Sequence, residues 1–127
     1  NLWGTDDVNK PLFYSKDSGE YAVNDGEQIW EKLVKVNPNI RFVFSGHILN
    51  TGVGTLISEN TNGKMVYQML ANYQEGVKGS IKGGNGWLRQ LSIDTKTKKI
   101  NIRTYSPYLN QFMTDSAHQF EFNNFKR

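Results

Sequence analysis

The chain has 127 residues, enough for one domain with a moderate core. At 37% hydrophobic and 13% aromatic it is too apolar for a disordered segment. No run approaches membrane-spanning length, and the lack of cysteine excludes a disulfide framework, a thiolate zinc site and a cysteine nucleophile. The balance of 15 Lys and Arg against 12 Asp and Glu gives +3, and the one tight basic cluster, Lys96, Lys98 and Lys99, brackets a turn. It reads as a solvated hairpin tip, so neither a nucleic-acid nor a membrane partner is expected.

Residues 1–25 hold turn formers (Asp6, Asp7, Asn9, Pro11, Asp17, Ser18, Gly19, Asn24) between short aromatic pieces, and predict an irregular surface segment. Asp6 and Asp7 are adjacent carboxylates without further spaced oxygens, so they read as turn formers and not as a cation site. Asp25 and Gln28 have the spacing of a capping box. Ile29, Trp30, Leu33 and Val34 then recur on one face of a helix of about three turns, acidic early and basic late. Asn37-Pro38-Asn39 stops it, because proline lacks the donor and restricts its neighbour.

Ile40-Arg41-Phe42-Val43-Phe44 is a near-continuous apolar strand that should lie beneath that helix, and Ser45-Gly46-His47 delivers a histidine at its end. A strand end is a rigid place from which to present an imidazole, the commonest neutral ligand for transition metals. Taken alone, a histidine in this position reads more readily as a hydrogen-bonded structural residue. Gly52 and Gly54 suggest a mobile loop beside it.

Thr55–Ser58 and Lys64–Leu70 read as strands of a hairpin around Glu59-Asn60-Thr61-Asn62-Gly63, with glycine where a positive φ is wanted. Gly76, Gly79, Gly83, Gly84 and Gly86 lack the strand-to-helix context of a phosphate loop and predict a flexible connector. Trp87–Ile93 and Lys99–Tyr105 alternate with period two around Asp94–Lys98, a second hairpin. A polar link through Asp115 follows, with His118 expected at the surface, and Gln119–Asn123 is the last strand. The fold class is therefore α+β, one helix packed on a mostly antiparallel sheet of five or six strands.

The segments Ile29–Val34, Asn39–His47, Gln68–Gln74, Gly86–Arg89 and Thr104–Pro107, in this order and spacing, resemble the C-terminal part of the calcineurin-like metallophosphoesterases, particularly bacterial members with a long C-terminal sheet. That family's two-metal site draws on Asp-x-His, Gly-Asp-x-x-Asp, Gly-Asn-His, a lone His and finally Gly-His-x-His. Gly46-His47 matches the first half of the last motif, which implies a metal-ligand role for His47. Leu49 stands where the second histidine would be, and the earlier motifs do not occur in the chain.

The resemblance implies that residues 1–127 are one C-terminal fragment of a longer metal-dependent phosphoesterase. The missing N-terminal half would be its partner, a phosphate ester its substrate and two divalent metal ions its cofactors. The fold implied is the C-terminal half of a β-sandwich flanked by helices. Such a piece is expected to be inactive alone and to self-associate through an open face carrying some of Phe42, Phe44, Met65, Tyr67, Leu88 and Ile102. Secretion or the cell envelope is favoured over the cytoplasm, since relatives of this kind are often exported. Asn72, Tyr73, Gln74 and Arg89 fall in resembling stretches, where a role as loop anchors and strand-face residues outweighs one in the cleft. The alternative is a β-rich carbohydrate- or ligand-binding module that stacks Trp3, Trp87 and tyrosines on a sugar.

Overall fold

The computed structural model describes residues 24–46, 52–74 and 84–125. Its contacts divide the chain into two compact units, Asn1–Ile48 with Thr55–Leu70, and Leu49–Gly54 with Ala71–Arg127. The described elements are mostly antiparallel strands with one short helix, the α+β class expected from the residue pattern. Among the described residues no helix is long and apolar enough to cross a membrane.

In the first unit the capping box forms as its spacing predicts. The Gln28 backbone N–H donates to Asp25 Oδ1 at 2.8 Å, and the Asp25 N–H donates to Gln28 Oε1 at 3.1 Å. These bonds satisfy backbone donors that the first helical turn otherwise leaves without partners. The helix α1 (Gly26–Ile29) widens directly into a π-helical segment, Trp30–Val34, whose signature is the Lys35 N–H donating to the Trp30 carbonyl five residues back. Asn37 closes the end, its Nδ2 donating to the Leu33 carbonyl at 2.6 Å.

Only half of the expected apolar face is used. Trp30 and Val34 are buried with Val66, and Ile40 and Val43 pack against them, whereas Ile29 is exposed and Leu33 is 52% exposed. The helix rests on its sheet along one narrow stripe.

That sheet is three-stranded, in the order β1 (Phe42–Ser45), β3 (Met65–Ala71), β2 (Val53–Glu59). β1 runs parallel to β3, with Phe42 opposite Tyr67 and Ser45 opposite Leu70. The five residues between β2 and β3 are too few for a crossover, so that pair is a hairpin. Its turn is built as expected. Gly63 has φ +71°, and Asn60 Oδ1 accepts from the N–H groups of Asn62 and Lys64, both at 3.0 Å.

Side-chain alternation sends Val43 and Val66 toward the helix and Phe42, Phe44, Tyr67 and Met69 to the other face. There Phe42 stacks on both Phe44 and Tyr67. The face expected to lie open is open only in part. Phe44 is 62% exposed and Met65 and Leu88 are exposed, but Tyr67 and Ile102 are buried. Leu88 and Ile102 also belong to a different sheet from the other four.

The second unit holds a four-stranded sheet built on β5 (Lys99–Ser106). β4 (Leu88–Asp94) pairs with it along its whole length, antiparallel, from Leu88 opposite Tyr105 to Asp94 opposite Lys99. Asp94 Oδ1 accepts from the N–H groups of Lys96 and Thr97 at 2.8 and 3.1 Å, which folds the exposed lysine-bearing tip. Seven strands occur among the described residues, more than the five or six expected, because Gln111–Met113 forms β6 where the sequence suggests only a polar link. Its edge position beside Thr104–Ser106 supplies the pairing that three such residues do not specify by themselves. β7 (Phe120–Phe122) takes the other half of the same edge, opposite Ile100–Ile102. The inward phase of β5, Ile100, Ile102, Thr104 and Ser106, is fully buried.

Candidate functional site

The strand that leads to His47 ends at Ser45 opposite Leu70, so the two parallel strands β1 and β3 finish level with each other. In sheets with parallel strands, ligands gather at the carboxyl ends. His47 and Leu49 themselves lie outside the described residues, as do Trp3, Asp6 and Asp7. Among the described residues no three His, Cys, Asp or Glu side chains converge on a point that holds a metal ion. The described part of the chain therefore does not fit a two-metal centre.

The stretches flanking the predicted cleft are anchors. The Asn72 N–H donates to the Gly52 carbonyl at 2.5 Å, and Asn72 and Tyr73 are both buried, while Gln74 is exposed. Gly84, with φ +94°, lies against this segment so closely that an added Cβ would stand 2.5 Å from the Tyr73 carbonyl oxygen. Gly84, Asn85 and Gly86 all have positive φ, a run that only glycine and asparagine adopt readily. These residues are no flexible connector, although the other glycines of that loop lie outside the described residues. The turn is held by Ser106 Oγ, which donates to the Asn85 carbonyl at 2.5 Å and accepts from the Leu109 N–H at 3.0 Å. Arg89 donates from Nη2 to the Ala117 carbonyl at 2.9 Å and lies over the Phe120 ring.

His118 is a correction. Expected at the surface, it is 7% exposed and sits in a polar chain that crosses the second unit's core. Tyr73 Oη is 3.1 Å from Thr104 Oγ1, and that hydroxyl donates to the His118 carbonyl, also at 3.1 Å. With both bonds formed, the proton order runs from the tyrosine to the threonine to the carbonyl. The His118 ring lies 6.0 Å from the Tyr73 ring, and its Nδ1 is 2.7 Å from Asp115 Oδ1. Its Nε2 is buried without a hydrogen-bond partner. A neutral ring with its proton on Nδ1 donates to Asp115 and leaves only a bare lone pair at Nε2, a cheaper orphan than an N–H.

The bond from His118 holds the Asp115 carboxyl below its usual range, against the opposing effect of desolvation. An aspartate–histidine pair has the form of a general base, but here the ring is buried against Tyr73. The pair orders the turn before β7 and closes the core. Sequence alone misses this because the burying partners, Tyr73 and Thr104, are 45 and 14 residues away.

A concave site among the described residues is a cavity of about 260 Å3 lined by Asn101, Ile102, Arg103, Gln119, Phe120 and Glu121. It arises from the divided edge of β5. Between Thr104 and Ile102, two positions, the partner chain advances from Met113 to Phe120, seven positions, so residues 114–119 leave the ladder, five more than it could pair, and a notch opens beside Arg103. Lys99 Nζ bonds Glu121 Oε1 at 3.1 Å on the rim, and this bond, with one from Asn123, lowers the Glu121 carboxyl. The polar phase of Lys99–Tyr105 was the only sequence signal for this site.

No family model matches the chain, and no solved structure matches it. The chain is similar to a protein of Bacillus subtilis (strain 168) named uncharacterized protein YvnB, 39% identical over 98 residues, which is 72% of this chain. It spans 7% of the length of that protein.

Proposed function

We propose that the chain is the C-terminal portion of a metal-dependent phosphoesterase domain, in which His47 ligates a divalent cation and the remaining ligands come from chain outside these residues. The observation that carries this reading is that β1, which ends at Ser45 just before Gly46-His47 in the sequence, runs parallel to β3. The resemblance of five ordered segments to the calcineurin-like enzymes gives that position its chemistry. In such enzymes a divalent cation pair activates water for attack on the phosphate ester. One imidazole cannot hold two ions, so this reading requires further ligands from other residues.

The test compares metal content and phosphoesterase turnover of the whole protein with its His47→Ala variant, at matched thermal stability. Loss of about one metal equivalent together with at least ~10-fold lower turnover is expected, since one first-sphere ligand is removed. Equal metal content and equal turnover would reduce His47 to a structural residue and remove the reading. With Leu49 in the second-histidine position, activity should also depend on added divalent cation.

A further inference from the structure

The outward face of the β4–β7 sheet takes no part in the second unit's core. Alternation turns Gln90 and Ser92 of β4 and Asn101, Arg103 and Tyr105 of β5 to this side, and the ladders set Gln90 opposite Arg103 and Ser92 opposite Asn101. Across the other edge, Phe112 stands opposite Tyr105, their rings 4.7 Å apart, and Glu121 stands opposite Asn101. The Arg103 guanidinium lies 5.5 Å from the centre of the Phe112 ring. Even with both neighbours Phe112 is 48% exposed, and Tyr108, in the turn between β5 and β6, is 77% exposed. An aromatic platform thus adjoins the notch at Asn101, Arg103, Gln119 and Glu121.

Two features decide the chemistry of what fits. The charged ladder positions of this face are Asp94, Lys99, Arg103 and Glu121, two acids and two bases, with Lys99 and Glu121 already paired. A polyanion needs an unbalanced basic surface, so the balance favours a neutral ligand. The second feature is the pairing of ring faces with planar polar groups. Amide, guanidinium and carboxylate side chains make two-point hydrogen bonds to neighbouring hydroxyls, while an aromatic face covers an array of C–H groups. A pyranose ring offers both surfaces at once. The cavity of about 260 Å3 is smaller than the roughly 300–1,000 Å3 of small-molecule pockets, which suits one ring of a longer ligand lying along the sheet.

We propose that this face binds a neutral oligosaccharide. One sugar ring lies on Phe112 and Tyr105, and its neighbour occupies the notch with its hydroxyls bonded by Asn101, Arg103, Gln119 and Glu121. The aromatic set differs from the one the sequence suggested. Trp3 lies outside the described residues, and Trp87 is half-buried with its indole N–H enclosed and without a partner. None of the platform residues belongs to the segment carrying His47, so this face and the phosphoesterase reading stand or fall separately.

Isothermal titration of the protein with cellohexaose, chitohexaose, maltohexaose and mannohexaose provides the test. At least one should bind with a Kd of about 1 mM or tighter, and Phe112→Ala and Asn101→Ala should each weaken it by about 10-fold. The thermal midpoints of both variants should stay near that of the parent, because neither side chain is in the core, and Lys96→Ala at the hairpin tip should leave affinity unchanged. Absence of binding to all four sugars would overturn the proposal, as would binding that both platform variants leave intact. Binding of heparin or polyphosphate in place of the neutral sugars would also overturn it, in favour of an anion surface.

Discussion

Replacing Gly84 by alanine tests whether the 84–86 turn is a fixed part of the second unit. At φ +94° an L-residue is strained by about 1–2 kcal/mol. The new methyl would also stand 2.5 Å from the Tyr73 carbonyl oxygen, a backbone atom that no rotamer change can move. Overpacking of this kind costs a further ~1–3 kcal/mol, and the stiffer unfolded chain returns about 0.4–1 kcal/mol. The net loss is therefore ~2–4 kcal/mol.

Gly86→Ala is the internal comparison, since it lies two residues away in the same unit. Its φ is +67°, and its methyl would approach the Tyr108 Cβ at 3.3 Å and nothing else nearer than 3.9 Å, a contact that a shift of a few tenths of an ångström relieves. There the strain is offset in part by the unfolded-chain effect, leaving about 1 kcal/mol. Urea unfolding followed by tryptophan fluorescence, with thermal scans, measures both. At roughly 4 °C per kcal/mol for a domain of this size, Gly84→Ala should melt about 8–16 °C below the parent and Gly86→Ala about 4 °C below it. Equal losses in the two variants would show that the approach to Tyr73 is not fixed, and the reasoning fails.

Thr104→Val should cost more than Tyr73→Phe. The first removes both hydrogen bonds of the buried hydroxyl and leaves the Tyr73 hydroxyl and the His118 carbonyl without a partner, about 2–4 kcal/mol, whereas the second removes one bond for about 1 kcal/mol. Chemical denaturation of the two variants checks the order. The depressed Asp115 carboxyl, bonded by His118, contributes stability that is present above the usual carboxylate value of 3.8 and is lost as pH falls through the lower folded value. Asp115→Asn should therefore lower the urea midpoint at about pH 6, and the gap to the parent should close at about pH 2. A gap that persists or widens in acid would refute the assigned direction.

The parts of this chain that its sequence determines are those whose chemistry closes within a few residues. Asp25 reaches Gln28, Asn60 reaches Lys64 with Gly63 at positive φ, and Asp94 reaches Thr97, so each cap or turn forms from its own side chains. The alternation of Leu88–Asp94 and Lys99–Ser106 fixes which residues face the core, because a slip of one position would bury the opposite set.

The choice of neighbour belongs to the tertiary structure. The parallel pairing of β1 with β3 and the sharing of one β5 edge between β6 and β7 depend on which segment arrives beside an unpaired backbone, not on the propensity of either partner. That sharing buries His118 and opens the notch at Arg103. The close approach of Gly84 to Tyr73 is of the same kind, because the need for a missing Cβ is set by a backbone eleven residues away and is invisible in a run of glycines.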